Sequence, residues 1–167
     1  MEILIWSILL VIAVYDSRDN RIPNIWLLPL IILSAAYHFQ MNGLTASLSA
    51  LGSGVIFFGL GLLLYFLKAM APGDVKLLGA VGVFCGWGNL LASAYWITVG
   101  AGIVASFYLL LFLATKPDES KLVINEYSQS FLYGHNQVKA NRLNNSNKLR
   151  MPFAPAVVIG LALFSYF

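Results

Sequence analysis

Between residues 3 and 115, only two short polar interruptions carry acids. They are Asp16-Ser17-Arg18-Asp19-Asn20-Arg21-Ile22-Pro23-Asn24 and Ala71-Pro72-Gly73-Asp74-Val75-Lys76, with long apolar runs on either side of each. A carboxylate among lipid-soluble helices is costly, roughly 3 kcal/mol or more at a bilayer centre, and is kept where it has work to do. The rest of the chain offers these acids little polar company. Hydrophobic residues make up 59% and charged residues 10% of the 167, and mean hydropathy is +0.79. A soluble domain of that size has no use for so much apolar surface, so the expected class is an all-α polytopic membrane protein.

The apolar runs set out about six transmembrane helices in a single domain, over residues 3–15, 25–41, 45–67, 75–87, 90–115 and 151–167. The first is shorter than the ~20 residues a helix needs to cross, which puts Asp16 at or just inside a membrane boundary. Its start lacks the basic region and cleavage site of a secretory signal, so it reads as a retained span. Asp19 and Asn20 favour a turn in the connection that follows, and Pro23 can open the next helix. Trp26 and the Tyr37-His38 pair lie near the two ends of the second span, and Asn42-Gly43 stops it. Gly52, Gly54, Gly59 and Gly61 in the third span, with Gly79, Gly82 and Gly86 in the fourth, read as devices for close helix contact. Residues 116–150 are charged and rich in Asn and Ser, as an extramembrane loop would be. His38 falls far from the carboxylates and is given no role.

Charge placement orients this map. With the Asp16–Asn24 connection in the cytoplasm, Arg18, Arg21, Lys68, Lys76 and all six basic residues of 116–150 share that side. The opposite connections, at residues 42–44 and 88–89, hold no Lys or Arg, as the positive-inside rule requires. Both termini are then outside, and Asp16 and Asp74 come to the same cytoplasmic face. The basic run from Lys139 to Arg150 suits topology and anionic lipid rather than nucleic acid.

Two carboxylates held a few Å apart share a proton and can act as acid and base together. That is the chemistry of aspartic peptide hydrolysis, in which one carboxylate takes a proton from water and the other protonates or hydrogen-bonds the developing oxyanion. Gly73 would let a substrate backbone approach Asp74 and would permit strained dihedrals. Lys76 could balance charge locally or meet lipid phosphate, and it reads as a residue snorkelling to head groups before a catalytic one. The residues leave other readings open. Asp74 could cap the helix that follows it. Asp16 could pair with Arg18 or Arg21, and Asp19 is its nearest rival. The same two acids could serve a proton- or cation-coupled transporter, or belong to a non-enzymatic assembly subunit. Transport predicts acids near the midplane and an inverted repeat, and the sequence shows neither. A single cysteine, Cys85, excludes a paired-cysteine metal site.

Asp16 followed by Ile22-Pro23-Asn24, then Gly73-Asp74-Val75-Lys76-Leu77, then Met151-Pro152-Phe153-Ala154-Pro155-Ala156, resembles the type IV prepilin peptidases. The resemblance implies that Asp16 and Asp74 are the two catalytic aspartates, with Gly73, Lys76, Pro23 and Asn24 supporting the loop or the substrate. It implies a hydrolase of the cytoplasmic (inner) membrane that needs no metal or organic cofactor. Its partners would be membrane lipid and the apolar helix of a prepilin or pseudopilin, whose basic leader it removes after a glycine; self-association is left open. The first glycine of the family's Gly-x-Gly-Asp motif is Ala71 here. The cysteine-bearing insert associated with N-methylation has no counterpart, so the chain is similar to the short, peptidase-only form of tight-adherence (Flp-type) or archaeal preflagellin systems.

Overall fold

The computed structural model describes residues 1–19, 21–115 and 151–166, and every regular element among them is helical. The expected loop at 116–150 lies outside the described residues, as do Asn20 and Phe167. The elements are α1 (Glu2–Asp19), α2 (Asn24–Phe66), α3 (Pro72–Cys85), α4 (Leu90–Thr115) and α5 (Phe153–Tyr166). Contacts divide the chain into two units, Met1–Ile103 with Pro152–Phe167, and Val104–Met151. The first holds the core and every residue discussed below. Of the second, the description covers the last turns of α4 and Met151.

The helices have no consistent polar face, which suits lipid surroundings rather than water. Ile3, Val14, Ile25, Leu28, Ile32 and Phe66 stand 65% to 81% exposed. Two helices, α2 and α4, are long and apolar enough to cross a membrane by length and composition, whereas α1, α3 and α5 have 18, 14 and 14 residues.

The expected second and third spans are joined in α2 as one 43-residue helical run, broken at Gly43 (φ 78°, ψ −167°), where Asn42-Gly43 was expected to end a span. Only glycine adopts that backbone readily. Either side of the break the helix is about 30 Å long, one bilayer thickness. Residues from both halves, Leu27 and Ile31 before Gly43 and Leu51 and Phe58 after it, line one groove against α3, so the two halves return alongside each other.

Two boundaries differ from the sequence reading. The first helix runs on to Asp19 instead of ending before Asp16, so Asp16 to Asp19 are helical and not loop. Asp16 is buried against α5, which keeps this turn packed, and Arg18 in the last turn complements the helix C-terminus. The fourth apolar run starts its helix at Pro72, not Val75, because proline fits the first helical turn.

The α2–α3 contact is built on glycine. A methyl group on Gly54 would collide with the Val83 side chain and stand 3.0 Å from the Gly79 carbonyl oxygen. One on Gly82 would reach Phe57 at 2.8 Å, and one on Gly61 would reach Val75 at 3.1 Å. Gly59 faces open space and has no part in this contact, whereas Gly86, which ends α3 at φ 72°, lies against α2, where a methyl would stand 2.8 Å from the His38 ring. Gly100 of α4 and Gly160 of α5 do the same work for that pair, backbone on backbone: a methyl on Gly100 would stand 2.6 Å from the Ala156 carbonyl oxygen.

These contacts sort the residues of the first unit by end. At one end the Glu2 carboxylate accepts a 2.7 Å hydrogen bond from Tyr37 Oη, and His38 Nε2 donates to the Phe84 carbonyl at 3.0 Å. At the other end lie Asp16, Asn24, Asp74, Lys76 and Ala154. His38, as expected, is remote from the carboxylates.

Candidate active site

Asp16 is 4% exposed, a carboxylate inside an apolar bundle. Such a group needs hydrogen-bond donors, and the fold supplies one from the far end of the sequence. The backbone N–H of Ala154 donates to Asp16 Oδ2 at 2.8 Å. Ala154 is the second residue of α5, so its N–H has no partner within its own helix, and Asp16 caps it from α1. Among the described residues no arginine pairs with Asp16. Arg18 instead lies 3.9 Å from Asp19, both exposed, which is a weak surface contact.

Asp74 occupies the first turn of α3, just ahead of the apolar run that begins at Val75. Its carboxylate accepts a hydrogen bond from the Ala71 N–H at 3.3 Å. This is half of a capping box, since alanine has no side-chain acceptor to complete it. The capping role open to Asp74 in the sequence is therefore present, though long and weak. Burial pushes the Asp74 carboxyl up to about 6, the Ala71 N–H pulls it down, and the charge of Asp16 adds a smaller upward push. The two acids thus lie within electrostatic reach, while no hydrogen bond joins their carboxylates among the described residues.

The supporting residues gather at the same end. Lys76 Nζ donates to Asn24 Oδ1 at 3.2 Å, tying the first turn of α2 to α3. Pro23 precedes α2 in an extended conformation (φ −71°, ψ 118°) and its carbonyl accepts from the Trp26 N–H. Gly73 does not have the strained dihedrals its residue type allows: its backbone is helical, and a methyl there would meet Ile22 at 3.6 Å, an ordinary contact. Ala71 is extended (φ −82°, ψ 153°), a conformation open to any residue, so α3 starts without the glycine that the motif usually places there.

Two openings reach Asn24, which bonds Lys76 at this end, and neither Asp16 nor Asp74 lines them. An apolar groove of about 580 Å³ runs from Asn24 and Lys76 between both halves of α2 and α3. A polar depression lined by Tyr15, Asp19, Arg21, Ile22, Pro23 and Asn24 lies over the α1–α2 connection. No cluster of three or more His, Cys, Asp or Glu able to hold a metal occurs among the described residues. The sequence reading quoted Ala154 within a motif but missed what it does. The signal was Pro152 and Pro155 bracketing a helix start, where unpaired N–H groups attract an anion.

A helical, lipid-suited bundle with two acids at one end defines the class, a helical membrane protein. Residues 3–115 match the family described as the type IV leader peptidase family, and the chain belongs to it. It is accordingly a peptidase, a hydrolase. No curated protein and no solved structure matches the chain. The family match ends before α5, the helix that holds Asp16.

Proposed function

We propose that the chain is a membrane aspartic endopeptidase that removes the leader of a type IV prepilin or pseudopilin at the cytoplasmic face, with Asp16 and Asp74 as its catalytic pair. The observation that carries this is two carboxylates of unequal surroundings at one end of the bundle, Asp16 buried on an N–H donor and Asp74 half-buried in the first turn of α3. A carboxyl titrating near 6 readily holds the shared proton. Asp16 takes a proton from water as its oxygen attacks the scissile carbonyl carbon, and Asp74 gives its proton to the developing oxyanion. Collapse of the tetrahedral intermediate breaks the C–N bond, and the amine leaves with a proton from the pair.

The substrate this arrangement suits is an inserted apolar helix with a basic leader. Arg18, Arg21, Lys68 and Lys76, the described Lys and Arg residues, cluster at the Asp16–Asp74 end, which supports a cytoplasmic placement and six crossings with both termini outside. The transporter alternative expects acids at the bilayer midplane, whereas these stand at helix ends. The short length of the α1–α2 connection supports the peptidase-only, Flp-like form.

The test is prepilin cleavage in membranes, read by gel shift. Asp16→Asn and Asp74→Asn are each expected to lower the rate about 10³-fold or more at normal membrane levels, with Asp19→Asn close to wild type. Persistent cleavage by either of the first two would remove the pair from catalysis.

A further inference from the structure

We infer that the start of α5 is part of the catalytic apparatus, with the Ala154 N–H as the group that positions Asp16. This rests on the reading of Asp16 as a catalytic carboxylate, and it extends the site into a segment that the family match does not reach.

The geometry is specific. Asp16 Oδ2 accepts from Ala154 at 2.8 Å, and both partners are buried, Asp16 to 4% exposure and Ala154 to 1%. Ala154 is the second residue of α5, and Pro155 after it has no N–H, so few first-turn donors remain and Asp16 takes one of them. Arg18, the nearest cation in sequence, is turned to Asp19. The core around this bond is apolar: Ile12 and Ala13 of α1 share one buried cluster with Leu77 of α3 and Ala154, Val157 and Leu161 of α5. In such a setting one backbone donor fixes which carboxylate oxygen is occupied and leaves the other as the oxygen free to take a proton.

The consequence for the reaction is orientation. A carboxylate that can swing by 1 Å loses alignment with the attacking water, and misplacement of that order costs about 10²-fold in rate. Loss of the donor therefore lowers kcat and leaves KM near its normal value, because Ala154 lines neither the groove nor the polar depression.

Deleting the donor tests this in the full-length protein in membranes, with a co-inserted prepilin as substrate. Ala154→Pro removes the N–H at a first-turn position where helices accept proline, and Ala154→Gly removes the side chain but keeps the N–H. The expected result is a fall of about 10²-fold in kcat for Ala154→Pro at unchanged KM, with Ala154→Gly within a few-fold of wild type. If Ala154→Pro does not accumulate, replacing Ala154 by lactic acid through nonsense suppression deletes the same N–H as a backbone ester with the methyl group intact. Wild-type kcat in the proline or ester variant, or equal loss in the glycine variant, overturns the inference. The peptidase reading fails separately, if the wild type itself does not cut the prepilin or if Asp16→Asn still does.

Discussion

At the scale of single residues, the two aspartates show how a carboxylate's character is set by what surrounds it. Asp16 was placed by the sequence at a helix end, and the structure keeps it at that end but moves it into the helix and the core. Asp74 has a value of about 6 in the folded protein against about 3.8 when exposed, chiefly through burial. The folded state therefore binds this proton more tightly than the unfolded chain, and stability falls as pH rises from about 4 to about 6 and is level above that. Asp74→Asn removes the dependence. After allowance for the screening of a half-exposed group, we expect it to raise stability at pH 7.5 by about 1 kcal/mol, a few degrees in melting temperature, with no gain at pH 4. Thermal melts in detergent at the two pH values check this, and an equal effect at both would show that the gain has another source.

At the scale of elements, the glycines separate into kinds that the sequence did not distinguish. Spacing marked Gly54, Gly61, Gly79, Gly82 and Gly86 as contact positions, and they are; it marked Gly59 in the same way, and it is not. Periodicity shows which residues share a helix but not where its neighbour lies, so a glycine facing a partner and one facing lipid look alike. We expect Gly82→Leu to lower stability by about 1–3 kcal/mol through overpacking against Phe57, and Gly59→Leu to leave it nearly unchanged, both read by thermal melting. Gly43→Ala is expected to cost about 1–3 kcal/mol for a different reason, since φ 78° with ψ −167° is closed to alanine. The helical composition and the break at Gly43 were legible because apolar length and an Asn-Gly pair are local signals. The reach of α1 to Asp19 was not, because what favours it is a contact with α5, 138 residues away.

At the scale of the whole molecule, the topology proposal has a direct check. In intact cells an impermeant maleimide is expected to label Asn42→Cys and to leave Arg21→Cys unlabelled until the membrane is opened; buried Cys85 adds little background. Labelling of both from outside would overturn the orientation. That the two acids come to one end of the bundle could be read from the placement of the basic residues. Which backbone group holds Asp16 could not, since no pattern in residues 1–115 refers to residue 154. This long-range bond also bears on timing during synthesis. A ribosome adds about 5–20 residues per second, so Asp16 is made roughly 7–28 s before the donor 138 residues downstream. Asp74 follows before Ala154 does, so for the later part of that interval both aspartates are made without the bond that orders the first of them. If the proposed roles hold, the enzyme is built with its activity held down, and a substrate helix inserted beside the growing chain is cut at full rate only once the last helix docks.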